Sequence, residues 1–180
     1  AQVKGEAIAQ ARKLSRELFT SVVKPRLRDF DPKIRDICIK TMGEISILAP
    51  EDFGDMNFIK FLGNALYDES PKNRKQAIKQ IEAILSSSSD ISFYKTFFKN
   101  ISPTLLKICN DNDNGLAISA FKLMTKMLKK DLFFYNLEDE DEDEQIISAF
   151  KITGDDAINV RTQAAKFFSD FIFNGSLLEK

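Results

Sequence analysis

Three arginines stand six residues after an aspartate: Asp29 with Arg35, Asp68 with Arg74, and Asp155 with Arg161. In a fourth place Asp111 is followed at the same spacing by Ala117. A guanidinium can meet a carboxylate as a planar, bidentate fork, a geometry that Lys does not replace. The remaining acid pairs, Asp52 with Asp55 and Asp155 with Asp156, fall at caps and turns, where carboxylates favour helix N-termini. The 180 residues include no His, which excludes Ser-His-Asp and Cys-His nucleophile systems, His general bases and His-ligated zinc. Cys38 and Cys109 are too few and too far apart for a thiolate metal site or a disulfide framework, and read as two reduced core thiols. No Gly-rich phosphate cradle, metal-ligand spacing or nucleophile elbow occurs. The expectation is a non-enzyme with no metal and no cofactor.

The other chemistry in the sequence is charge. A formal net charge of −1 hides an asymmetry: residues 1–50 carry ten basic and six acidic side chains, while residues 101–180 carry nine and fourteen. Lys24, Arg26, Arg28 and Lys33 surround one inter-helix turn, and Lys72 and Lys75 open the helix after the next. Stacking those turns would bring the cations onto one edge. Such a stripe neutralises phosphates without reading bases, which predicts sequence-independent, salt-sensitive contact with double-stranded DNA. No aromatic interleaving accompanies the stripe, so single-strand stacking is not expected. Half of the C-terminal acids belong to the run 138–144, which reads as a solvated loop joining two helices. Phe133-Phe134-Tyr135, just before it, reads as a packing end rather than a binding patch.

Helices must position these groups. Ile34, Ile37, Cys38, Thr41, Met42 and Ile45 follow the i, i+3, i+4, i+7 rule of a helix with one apolar stripe. Ala77, Ile78, Ile81, Ile84 and Leu85 repeat it, as do Leu116, Ala120, Phe121, Leu123, Met124, Met127 and Leu128. Val160, Ala164, Ala165, Phe167, Phe168 and Phe171 form a fourth stripe. Further helical stretches cover about 6–27, 53–67, 91–109 and 144–153. Asp31-Pro32 and Ser70-Pro71 place a capping side chain before a proline at the first helical position. Ser86 to Asp90 reads as a turn that ends with Asp90 as a cap. Sustained strand alternation is absent, and no apolar run approaches the roughly 18 to 20 residues of a membrane span. The expectation is an all-α, soluble, intracellular protein without a membrane partner. A start at Ala1 inside a helical pattern, without Met, suggests a piece of a longer chain.

The Asp–Arg units begin at 29, 68, 111 and 155, separations of 39, 43 and 44 residues, which is the period of stacked helix pairs. The pattern resembles HEAT repeats, in which a turn Asp and an Arg on the second helix form a ladder between neighbouring units. That resemblance implies a HEAT-repeat α-solenoid of about four helix pairs over residues 1–180. It places Asp29, Arg35, Asp68, Arg74, Asp155 and Arg161 in the ladder.

A narrower resemblance follows from Arg26-Leu27-Arg28-Asp29, Ile34-Arg35-Asp36-Ile37-Cys38-Ile39 and Gly43. It continues through Phe61-Leu62-Gly63, Leu66-Tyr67-Asp68, Arg74, Ala77-Ile78 and Lys79. These resemble the stromalin conservative domain of the stromal-antigen family, the HEAT-repeat accessory subunit of cohesin, over about residues 21–110. Further HEAT-like helices reach to about 175. The resemblance implies a nuclear, chromosome-bound scaffold that supports sister-chromatid cohesion. Its implied partners are the cohesin kleisin, the SMC ring through that kleisin, cohesin regulators and double-stranded DNA. In the family, an Arg and two exposed aromatics receive an aromatic side chain from partner peptides. By register that surface falls on Arg28, Asn64, Asn100 and Ile101, so the Arg is kept and both aromatics are lost. Without a π-face the peptide loses stacking and buried area. This implies a divergent version of the family, fungal-type or specialised for meiosis. The alternative is an unrelated HEAT scaffold, karyopherin-like or phosphatase-scaffold-like, that binds proteins only.

Overall fold

The computed structural model of the chain describes residues 2–87, 91–135, 140–154 and 156–173. Among the described residues every regular element is a helix and no strand occurs. The chain divides into two compact units, Ala1–Phe93 and Tyr94–Lys180.

In the first unit, helix α1 (Gln2–Leu18) widens into a π-helical turn at Phe19–Val23 and closes with the single turn α2 (Lys24–Arg26). A tight corner leads to α3 (Pro32–Leu48), then α4 (Pro50–Phe53) and α5 (Met56–Asn64), the last extended by a 3-10 turn at Ala65–Tyr67. Gly54 and Asp55 break the stretch expected to be continuous from 53, because Asp55 caps α5 by accepting the Asn57 N–H at 2.7 Å. A second corner precedes α6 (Pro71–Ser87). The most extensive contact in this unit runs between α3 and α6, the second helices of the two pairs. Phe19 from the π-helical turn meets Phe53, Phe58 and Phe61 at ring centroids 5.3 to 6.0 Å apart, seating the first helix on α4 and α5.

The expected stripe on α3 is displaced. Its buried residues are Arg35, Cys38, Ile39, Met42, Gly43 and Ser46, while Ile37 is 63% exposed. The face turns this way because α6 comes very close at Gly43. A Cβ there would lie 2.5 Å from the Gln80 Cβ, which only glycine permits. The same rotation carries Arg35 under the corner that it bonds. On α6 the expected stripe is buried as read, with Ala77, Ile78, Ile81, Ile84 and Leu85 all in the core.

The second unit follows the 3-10 turn Ser92–Tyr94 and contains α7 (Lys95–Ile108), α8 (Asn114–Leu128), α9 (Glu140–Lys151) and α10 (Ile158–Phe173). Its second helices again make the largest contact, α8 along α10. Asp113 caps α8 through the Leu116 N–H at 3.0 Å. Phe121, Phe133, Phe167 and Phe171 form the centre, with Phe133 5.5 Å from Phe167 and Tyr135 6.1 Å from Phe171. Phe133 and Tyr135 therefore pack, as their position before the acidic run predicts. Ala165, expected in the stripe of α10, is exposed.

The acidic run requires a correction. It is not a loop throughout 138–144: α9 begins at Glu140, and Asp143 accepts a hydrogen bond from the Tyr135 hydroxyl. Carboxylates are favoured at the positive end of a helix, so a run of acids can open one rather than prevent it. Residues 136–139 lie outside the described residues, as do 88–90 and with them the expected cap Asp90. Ser86 and Ser87 end α6 instead of opening a turn.

Candidate nucleic-acid and partner interface

The candidate site grows from the two corners of the first unit. At the first corner, Asp31 accepts the Lys33 N–H at 2.8 Å and caps α3 above Pro32. Asp29 accepts the Asp31 N–H at 3.0 Å and an Arg26 Nη1 donor at 2.8 Å. These bonds, the backbone one first, hold its carboxyl below the ordinary carboxylate range.

Arg35 joins this corner to the next. Its Nη1 donates to the carbonyls of Asp29 at 2.7 Å and Phe30 at 3.1 Å. Its Nε and Nη2 fork onto the Asp68 carboxylate at 2.7 and 2.9 Å, and Nη2 also reaches Glu69 at 3.0 Å. Asp68 further accepts the Ser70 N–H at 2.9 Å and the Asn73 amide at 3.3 Å. Burial pushes the Asp68 carboxyl up, but the hydrogen bonds from Arg35, Ser70 and Asn73 outweigh it and hold its pKa below the ordinary value. The Asp68 bonds push the Arg35 guanidinium the other way, further above its usual range. Arg74 caps its own corner, donating to the carbonyls of Asp68 at 2.9 Å and Glu69 at 3.3 Å. Arg161 is exposed on the first turn of α10, and Asp155 lies outside the described residues.

All six cations expected to contact DNA lie in the first unit. Arg28 and Lys33 are exposed at the first corner. Arg26 pairs with Asp29, and Lys72 sits 3.4 Å from Asp36. Lys24 lies over the Phe61 ring, 5.3 Å from its centroid. Lys75 is half-buried one turn further along α6. In both ion pairs the cation is the exposed member, at 63% and 75%, and the carboxylate the covered one, at 7% and 25%.

Two residues that the sequence reading left out stand on the same corners. Phe30 is 93% exposed between Arg28 and Lys33, and Tyr67 is 67% exposed immediately before Asp68. The expectation of a cationic stripe without aromatics is thereby corrected. The available signal was position: both side chains adjoin the Asp of a predicted corner, where a helix has no inner face to hide an aromatic.

The peptide-surface positions separate by exposure. Arg28 and Asn64 are exposed in the first unit, and Asn100 is exposed in the second. Ile101 is 4% exposed, because α7 turns Phe97, Phe98, Ile101 and Leu105 inward as one stripe. It belongs to the core of its unit and not to the surface.

The acids considered for catalysis have other work. Buried Asp52 receives Arg16 Nη2 at 2.6 Å and lies 3.2 Å from Arg12 Nε, while Arg12 also bonds Glu51. These pairs tie α1 to α4 beside an open groove of about 830 Å³. Cys38 and Cys109 are both buried and unpaired with each other, and burial pushes both thiols up. Among the described residues, no three His, Cys, Asp or Glu side chains are placed to hold a metal ion, and no helix is long and apolar enough to cross a membrane.

Comparison with known proteins bears on these corners directly. Residues 28–102, from the first corner into α7, match the family model of the stromalin conservative domain. The chain is 25% identical over 127 residues to sister-chromatid cohesion protein 3 of Arabidopsis thaliana, covering 71% of this chain and 12% of that protein. It is 28% identical over 127 residues to cohesin subunit psc3 of Schizosaccharomyces pombe, covering 68% of this chain and 13% of that one. It is 28% identical over 113 residues to cohesin subunit SA-3 of Mus musculus, covering 62% and 9%. The chain thus spans roughly a tenth of the length of the curated relatives it matches.

Proposed function

We propose, from the stromalin conservative domain that residues 28–102 match, that this chain is a scaffold segment of a cohesin accessory subunit. In this reading it is not an enzyme and works on chromosomes in the nucleus, in sister-chromatid cohesion and chromosome segregation. The array of residues 1–180 acts as one HEAT-type segment that contacts the kleisin, and through it the SMC ring, with regulators as further partners. The observation that carries the reading is the domain match falling on the two corners that Arg35 joins.

A DNA contact along those corners is supported by Lys24, Arg26, Arg28, Lys33, Lys72 and Lys75, all on corners or helix starts of the first unit. Such a contact is electrostatic, binding duplexes of any sequence and weakening with salt. Arg28 and Asn64 are both exposed, but the two positions at which the family carries its peptide-receiving aromatics hold Asn64 and Ile101 here, so capture of a peptide aromatic there would lose its stacking partners.

The test has two arms. Immobilised kleisin fragments are expected to retain the chain; retention by a transport signal instead of kleisin would overturn the cohesin reading. In an anisotropy titration, charge reversal at Lys24, Arg26, Lys72 and Lys75 together is expected to weaken duplex binding and flatten its salt slope. Unchanged binding by a folded variant would remove the DNA contact.

A further inference from the structure

We infer that the corner edge of the first unit is a binding site for single-stranded nucleic acid, with Phe30 and Tyr67 as stacking platforms. The inference rests on the proposed nucleic-acid contact of the same edge and extends it from phosphates to bases. Three observations carry it. The first is exposure: Phe30 stands 93% and Tyr67 67% accessible, in a chain whose other large aromatics mostly lie in the cores. A ring as exposed as Phe30 still has apolar area to bury against a partner.

The second is rigidity. The Phe30 carbonyl accepts from the same Arg35 guanidinium that forks onto Asp68, the neighbour of Tyr67. The backbone that carries Phe30 is therefore tied to the buried Arg35, and the same guanidinium holds the carboxylate next to Tyr67, so the two corners are fixed before binding. The third is charge. Arg28 and Lys33 flank Phe30, and Lys72 opens the helix after Tyr67. The nearby acids each have a partner: Asp29 has Arg26 and a backbone N–H, Asp31 has the Lys33 N–H, Asp68 and the exposed Glu69 share Arg35, and Asp36 has Lys72.

Exposed rings with cations beside them form the arrangement that holds single strands, where backbone phosphates track the charge and unpaired bases stack on aromatic faces. A duplex offers no free base face to these rings, so it would use the cations alone. A peptide aromatic is taken up in a desolvated pocket, whereas Phe30 projects outward rather than lining a cleft.

The experiment compares labelled dT20 with a 20-base-pair duplex, titrated against the 180-residue chain at one salt concentration. Phe30→Ala with Tyr67→Ala is expected to weaken dT20 binding about tenfold or more and to change duplex binding less than about twofold. Phe30→Leu, which keeps apolar bulk without a π-face, is expected to lose most of the Phe30 share. Circular dichroism and thermal unfolding establish that each variant is folded before its binding is compared with that of the parent chain. Binding of dT20 unaffected by the double substitution would overturn the inference, as would an equal loss for both nucleic acids. So would duplex binding without dT20 binding, which leaves the phosphate contact standing. Loss in the double variant of binding to an aromatic-bearing acidic peptide, with dT20 never bound, would reassign the edge to proteins and overturn it too.

Discussion

Arg35 uses every donor it has. Its five N–H groups meet the carbonyls of Asp29 and Phe30, both oxygens of Asp68 and one of Glu69, while its side chain is 7% exposed. Arg35→Ala would leave the Asp68 carboxylate buried without its charge partner and is expected to cost about 3 to 5 kcal/mol of unit stability in urea unfolding. Arg35→Lys should restore only part of that, because three tetrahedral donors do not match the fork. Asp29 and Asp68 both contribute to the acid response. The Asp68 pKa is lower in the folded chain than unfolded, so its contribution is complete above the unfolded value of about 4. That contribution is lost as pH falls through the folded value. Stability measured from pH 6 to pH 2 is expected to drop below about pH 4, and Asp68→Asn should lower the plateau and flatten that acid limb. An unchanged limb would assign acid sensitivity to other carboxylates. The spacing of Asp and Arg was legible in the sequence; that Arg35 reaches forward to Asp68 while also capping its own corner required the corners to be brought together.

Elements in this chain are placed as much by small residues as by large ones. Gly43 admits Gln80 between α3 and α6, and the exposed Ile37 shows which way the helix has turned to allow it. Gly43→Ala would gain about 1 kcal/mol of helix propensity. It would nevertheless collide with the Gln80 Cβ and is expected to destabilise the first unit by about 1 to 3 kcal/mol. Gly43→Ala paired with Gln80→Gly, which removes the opposing Cβ, should recover part of the loss, and chemical unfolding of the double variant reads this directly. Asp31→Ala removes the cap of α3 and is expected to cost about 1 kcal/mol by the same measurement. The cap of α3 was readable because Asp-Pro is a local signal. The face of α3 was not, because hydrophobic periodicity weighs Ile37 as core and cannot see a glycine contact 37 residues away. The acidic start of α9 escaped for a related reason: a run of like charges reads as a solvated loop until the helix end that favours it is known.

Over the whole molecule the basic excess lies in residues 1–50 and the acidic excess in residues 101–180. If four of the corner cations contact phosphate, the logarithm of duplex affinity should fall with the logarithm of salt at a slope of about −3.5. A slope near zero would show that the corners do not carry the contact. The sequence by itself determined the helical class and the caps of α3 and α8, because each depends on residue types at short, fixed spacing. It also carried the resemblance that the domain match over residues 28–102 bears out. Only the tertiary structure decided which helix faces are buried and that Ile101 lies in a core. It also decided that Asp52 anchors two arginines and that Phe30 and Tyr67 stand in solvent beside the cations. Those outcomes depend on distances between residues remote in sequence, and no local pattern encodes a distance that is set only when two helices meet.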